Sequence, residues 1–245
     1  MEVVTVIPAR LASTRLPEKP LIEINGKSVL RRTHDQCVKA VDKENTYVAT
    51  DSKKIYSHCE EYGINVVMTS TECLTGTDRV AEFSKKINAD YYINVQGDEP
   101  IINPEDIRKI VDIIKNDGSS NKIYNGYSSI ADRKEYDSLS IPKVVMREDK
   151  RLLYMSRSGI PGNKKGEFKK AWKQICIYGF PKEALNTFAR YKSKTELESV
   201  EDIEILRFLE SGFEVSMVEL SGTSIAVDTP EDVEKVKKVL DNANQ

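Results

Sequence analysis

The chain is poor in the residues that build metal centres and nucleophilic dyads. Its four cysteines, Cys37, Cys59, Cys73 and Cys176, show no CxxC spacing, and only His34 and His58 are present to partner them. This argues against both a zinc site and a disulfide framework, and scattered reduced thiols of a cytoplasmic protein are the better account. Both histidines fall in helical stretches between motifs, so nothing in the spacing supports Cys-His nucleophilic catalysis. No apolar run approaches the ~18 residues of a membrane span, and strand residues begin at Val3 behind Glu2, which leaves no signal-like N-terminus. A cytoplasmic protein without membrane attachment is expected. An excess of one charge is lacking too: 37 basic residues against 39 acidic ones leave a net charge of -2. General attraction to nucleic acid or to an anionic membrane is therefore excluded, and any anion binding must be local.

What is present is enough apolar material, 39% of 245 residues, for one α/β domain spanning residues 1–245. The β-branched run Val3-Val4-Thr5-Val6-Ile7 stops at Pro8 and reads as a buried strand of a parallel sheet, where ligands bind outside the carboxyl ends of strands. The loop that follows carries Arg10, Arg15 and Lys19 among the small residues Ala9, Ala12, Ser13 and Thr14, with Pro17 and Pro20 stiffening its exit. Arg offers flat bidentate donors and Lys a mobile point charge, so a triphosphate is the natural guest. A solvated basic loop is the plainer alternative. Ser28 as N-cap predicts a helix to about Ala40. Strands are predicted at Thr46–Thr50 and Asn65–Met68, with a helix from Lys53 to Tyr62 closed by Gly63. Such βαβα alternation predicts a right-handed, doubly wound, mostly parallel sheet.

Farther on, Thr69-Ser70 and Leu74-Thr75-Gly76-Thr77-Asp78-Arg79 lead into a helix predicted from about Val80 to Ile87. This is a second ligand-facing patch or simply a capped helix start. The strand Tyr91–Val95 ends in Gln96-Gly97-Asp98-Glu99-Pro100, which places Asp98 where a divalent cation binds and Gln96 where a sugar or base edge would lie; a satisfied turn carboxylate is the alternative. Asp117 to Asn121 reads as a polar loop. Lys143–Met146 and Leu152–Arg157, joined by a turn, predict an antiparallel excursion for acceptor binding or dimerisation. Residues 162–173 read as a basic lid or linker exposing Trp172. Glu198, Glu201 and Glu204 are predicted along one face of a helix running to Ser211, a pattern usually solvated. Near the end, Asp228 or Thr229 caps a last helix that has Pro230 at its first position.

Several strings together resemble the 3-deoxy-manno-octulosonate (Kdo) cytidylyltransferases, or CMP-Kdo synthetases. They are Pro8-Ala9-Arg10, Ser13-Thr14-Arg15-Leu16-Pro17, Lys19-Pro20-Leu21, Val95-Gln96-Gly97-Asp98-Glu99-Pro100 and Val227-Asp228-Thr229-Pro230-Glu231-Asp232. The resemblance runs from Val6 to Val239 and is weakest over Lys122–Ile141 and Gly162–Gln174. Four positions depart from the family pattern: Glu18 for Gly, Thr75 for Ser, Gln174 for His and Cys176 for Gly. The resemblance implies a nucleotidyltransferase-like fold in which an anomeric hydroxyl of a 2-keto-3-deoxy sugar acid attacks the α-phosphate of CTP and releases pyrophosphate. It implies Mg²⁺ on Asp98 and Asp228, which with Lys19 form the catalytic set. It also implies nucleotide contacts from Ala9, Arg10, Arg15, Lys19, Ser70, Gly76, Thr77 and Gln96, and acceptor contacts from Arg79, Gln96, Arg157, Tyr178, Glu198 and, in reserve, Glu201. A homodimer serving lipopolysaccharide or capsule synthesis would follow the family. Two rivals stay open: the same chemistry on 8-amino-Kdo or another capsular acid, and a non-catalytic nucleotide-binding protein of this fold.

Overall fold

β1 (Val3–Ala9) is buried along its whole length in the computed structural model, which describes residues 1–12, 15–118 and 121–243. Its side chains divide between two cores. Val4 and Val6 pack with Val80 and Phe83 on one face, while Val3, Ile7 and Ala9 pack with Leu30, Cys37 and Ile107 on the other. Burial on both faces explains a continuous apolar run where a half-exposed strand would alternate.

After a 3-10 turn (Lys19–Leu21) and a hairpin of β2 (Glu23–Ile24) and β3 (Lys27–Ser28), the chain runs through α1 (Val29–Ala40), β4 (Thr46–Thr50), α2 (Lys53–Glu61), β5 (Asn65–Met68), α3 (Gly76–Phe83) and β6 (Tyr91–Val95). The second half contains α4 (Pro104–Asp117), β7 (Ile123–Ser129), α5 (Arg133–Asp137), β8 (Lys143–Met146), β9 (Leu152–Ser156) and β10 (Trp172–Pro181). It closes with α6 (Lys182–Phe188), α7 (Glu196–Glu201), α8 (Ile205–Glu210), β11 (Val215–Glu219) and α9 (Pro230–Ala243). Among the described residues the main sheet has the order β11-β7-β10-β6-β1-β4-β5. β1 pairs in parallel with β4 and β6, β4 with β5, and β7 with β11. β10 runs antiparallel between β6 and β7, and the β8–β9 hairpin hangs from its start. The predicted mostly parallel α/β sheet with an antiparallel excursion is what forms. The excursion reaches the middle of the sheet, because β10 separates two parallel blocks.

Local signals placed most helix starts. Ser28 accepts from Arg31 N at 3.2 Å, Ser52 from Ile55 N at 3.3 Å and Asn103 from Glu105 N at 3.0 Å. Three expectations are corrected. α3 begins at Gly76, ahead of Val80, because Thr75 and Asp78 form a reciprocal capping box. The three glutamates share no helix face: Asp202 adopts φ 53° and breaks the chain into α7 and α8, with Glu204 preceding the second. Trp172 opens β10 opposite Ser129 and Val144, so it belongs to the sheet and not to a lid. The stretch after Lys122 forms β7, buried in the sheet up to Ser128. A register shift in β10 between Ile175 and Tyr178 turns the carbonyls of Ile175 and Ile177 onto the Asn125 amide at 3.0 Å each, which satisfies a polar side chain inside the core. Of the residues singled out in the sequence, Ser13 and Thr14 of the cationic loop and Ser119 and Ser120 of the polar loop lie outside the described residues.

His34 sits in α1 at 5% exposure, and neither ring nitrogen makes a hydrogen bond among the described residues; Asp35 Oδ1 is 3.7 Å away. Burial holds its pKa below the ordinary 6.5, with Asp35 opposing. The folded state thus binds fewer protons here than the unfolded chain, so stability is retained above pH ~6.5 and declines as pH falls from there. The urea midpoint is expected to drop between about pH 7 and pH 5, and His34→Leu is expected to flatten that drop. Parallel pH curves for the two proteins would assign the dependence elsewhere.

Candidate active site

A cleft of about 800 Å³ opens at the carboxyl ends of β1 and β6 and is lined from both halves of the sheet. Its floor depends on Gly97, where a Cβ would lie 2.9 Å from the Pro8 carbonyl oxygen. Only glycine allows the turn after β6 to press against the end of β1. That turn delivers Asp98. The Asp98 carbonyl accepts from Val227 N at 2.8 Å, and this backbone bond brings Asp228 alongside, although 130 residues separate the two aspartates.

Lys19 Nζ lies 2.5 Å from Asp98 Oδ2 and 2.9 Å from Asp228 Oδ1, and Arg15 Nη2 lies 3.1 Å from the same Asp228 oxygen. Burial pulls the Lys19 pKa down, but Asp98 and then Asp228 outweigh it and hold the ammonium above its usual range. Beside them, burial and then the Asp98 charge push the Glu99 carboxyl up to about 7 while it accepts a hydrogen bond from Ser224. Oxygens of two carboxylates thus aim at one cationic point, and all-oxygen donors suit a hard divalent ion. Among the described residues no group of three or more His, Cys, Asp or Glu side chains is placed to hold a metal. Two carboxylates fit Mg²⁺, which ordinarily takes one or two of them and completes its shell with water and substrate phosphates.

Glu18, at the position where the resembled family has Gly, adopts the left-handed φ of 53° that favours glycine. Its carboxylate is bound by Lys54 Nζ at 2.6 and 2.7 Å, so its charge is turned from the cationic loop toward α2. Arg10 is exposed on the cleft rim, and Ala9, at the end of β1, lines the cleft as well. Gly76 faces Gln96 so closely that a Cβ would lie 3.3 Å from Gln96 Oε1. Two of the predicted nucleotide contacts stand elsewhere. Thr77 is buried behind the wall, its N–H and hydroxyl both given to Glu204, which also accepts from Gly76 N at 3.1 Å. Ser70 does not line the cleft; its N–H binds the Glu82 carboxylate at 2.9 and 3.0 Å.

Most of the predicted acceptor residues line the same cleft, with different freedoms. Gln174, Cys176 and Tyr178 alternate along β10 and all three line it, Gln174 Nε2 donating to Asn125 Oδ1 at 3.0 Å. Arg79 lines it too but is anchored on Asp51 at 2.8 Å and Thr69 at 2.5 Å. Arg157 donates to the carbonyls of Leu139, Glu201 and Asp202 at 3.0, 2.6 and 2.8 Å. Glu198 is fully buried and gripped by both forks of Arg207 at 2.6 and 2.7 Å, while Arg207 Nη1 reaches Asp78 at 2.8 Å. Glu201 does not line the cleft; it accepts from Ser156 and from Arg157 N at 2.6 and 2.8 Å and so props β9. Neither cleft cysteine is a nucleophile in waiting, because burial pushes Cys73 and Cys176 each to about 12. Glu204 is the wall residue that sequence reasoning passed over as an acceptor-side or nucleotide-side group; its signal was the third place in the glutamate spacing.

The family profile described as Cytidylyltransferase matches residues 4–225. A 3-deoxy-manno-octulosonate cytidylyltransferase of Chloroherpeton thalassium is 39% identical over 244 residues, which cover 98% of this chain and 98% of the relative. The chain belongs to the CMP-Kdo synthetase family of cytidylyltransferases. Within that family, an 8-amino-3,8-dideoxy-manno-octulosonate cytidylyltransferase of Shewanella frigidimarina is 34% identical over 238 residues, covering 96% of this chain and 97% of its own. The solved structure of a CMP:2-keto-3-deoxy-manno-octonic acid synthetase complexed with CTP matches this cytidylyltransferase with a TM-score of 0.91 at 31% identity, over 99% of this chain and 100% of that one. Among the described residues no helix is long and apolar enough to cross a membrane.

Proposed function

We propose that the chain transfers CMP from CTP to the anomeric hydroxyl of a 2-keto-3-deoxy sugar acid, releasing pyrophosphate. The observation that carries this reading is one cleft in which Asp98, Asp228 and Arg15 meet around Lys19 and which Arg157, Gln174 and Tyr178 also line. Arg10, Arg15 and Lys19 bind and orient the triphosphate and take up the charge of the departing pyrophosphate. Asp98 and Asp228 hold Mg²⁺, which when bound neutralises charge at the attacked phosphate. Gly76 and Gln96 lie against the nucleotide. Arg79, Arg157 and Tyr178 orient the acceptor so that its hydroxyl lies in line with the α-phosphate. Positioning and charge suffice for phosphoryl chemistry, and no covalent nucleophile is required.

Kdo is the acceptor of this reading. The 8-amino analogue is the second, favoured by Gln174, whose bond to Asn125 presents an amide where the resembled family has an imidazole. Pyrophosphate release from CTP and Mg²⁺ is the test, with Kdo, 8-amino-Kdo, N-acetylneuraminate or no acceptor. Turnover confined to Kdo supports the first reading, turnover confined to the amino sugar the second. Silence with all of them, despite CTP binding, would reject both.

A further inference from the structure

Lys143 begins β8 and is fully buried, yet it has no ion-pair partner among the described residues. Its ammonium donates to three backbone carbonyls, those of Ser138 and Ile141 at 2.8 Å each and that of Arg157. An ammonium carries three donors, so all are satisfied by neutral dipoles. Burial, and then the nearby Arg157 charge, hold its pKa below the usual 10.5. Burying a charge this way is costly unless its hydrogen bonds are complete, and a purely apolar β8 would pack here without that cost.

The three carbonyls belong to segments that line the cleft. Ser138 and Ile141 bracket a turn closed by Ile141 N on Ser138 O at 3.2 Å, and Ser140 and Pro142 of this segment line the cleft. Arg157 lines it as well and donates back to Leu139 O at 3.0 Å. The Pro142 carbonyl accepts from Gln174 N at 3.0 Å, which ties the same segment to β10. Three carbonyls pointing at one spot repel one another, and only a cationic donor in their midst holds them together. Lys19, Asp98 and Asp228 have no bond to this cluster among those described.

We propose that Lys143 is a positioning residue for the acceptor: its ammonium draws the carbonyls of Ser138, Ile141 and Arg157 to one point and thereby sets the cleft wall formed by Ser140, Pro142 and Arg157. This rests on the cytidylyl transfer proposed above. Lys143→Met, which keeps length and removes the donors, raises the acceptor KM by on the order of 100-fold through a misplaced wall and leaves the CTP KM within about twofold. Lys143→Arg does not restore it, because a planar fork cannot serve three converging carbonyls. The tests are steady-state kinetics against each substrate and amide hydrogen exchange without any acceptor. Equal changes in both KM values, or none, overturn the inference. If Lys143→Met does not fold, Ile141→Gly loosens the turn with the ammonium retained; an unchanged acceptor KM there overturns it too. Exchange separates the two claims: faster exchange confined to residues 138–141 and 157 in an enzyme with no turnover keeps the clamp and rejects the reaction, and unchanged exchange rejects the clamp.

Discussion

Asp98→Ala and Asp228→Ala are each expected to lower pyrophosphate release by on the order of 1,000-fold, since a bound divalent ion contributes several kcal/mol at the transition state and each 1.36 kcal/mol is tenfold. The two carboxylates, 130 residues apart in the chain, reach a common cationic point at 2.5 and 2.9 Å from Lys19 Nζ. Losing either removes half of the protein's own ligands for the ion and leaves its position to water and the phosphates. The same change releases Lys19 from one of its two acids, so CTP binding measured without Mg²⁺ becomes tighter in the variants. Weak turnover with tightened nucleotide binding is a signature that unfolding does not produce. A variant within tenfold of wild type at saturating Mg²⁺ would remove Asp98 or Asp228 from the catalytic set.

Arg207→Met is expected to destabilise the fold by about 3–5 kcal/mol, because it leaves buried carboxylates without their cation. Arg207 and Glu198 are both fully buried, joined by two short bonds, and the third guanidinium nitrogen holds Asp78, which caps α3. The guanidinium carbon also sits 3.7 Å from the centre of the Phe188 ring, a stacking contact that a methionine replaces only in part. For a chain of this size the melting temperature falls by roughly 6–20 °C. Removing the partner as well reverses the sign of the argument: Arg207→Met combined with Glu198→Met replaces a buried ion pair with apolar side chains and recovers much of the loss. Thermal unfolding of the single and double variants decides it. Equal melting temperatures for Arg207→Met and wild type would mean that water reaches the cluster. Since both Glu198 oxygens are held by Arg207, the effect of Glu198 on the acceptor is expected through this clamp on the α3 start.

The sequence by itself determined what rests on neighbours in the chain. A doubly buried strand needs an apolar run, so β1 was legible; Ser28 marks a helix start because a cap bonds three residues ahead. The strings around Lys19, Asp98 and Asp228 were legible as resemblance, and their meeting was expected on that ground alone. Tertiary structure decided what rests on partners far along the chain. Asn125 is tolerable in a buried strand only because a bulge about 50 residues later offers it two carbonyls. Glu204 faces Gly76 and Thr77 across more than 100 residues, Glu198 is neutralised by Arg207 only after Asp202 breaks the helix, and Lys143 is a core residue because three carbonyls converge on it. Polar side chains carry no periodic signal of burial. Whether a charge faces water or the interior is set by the desolvation cost of that charge against donors and acceptors that only the folded chain brings within 3 Å.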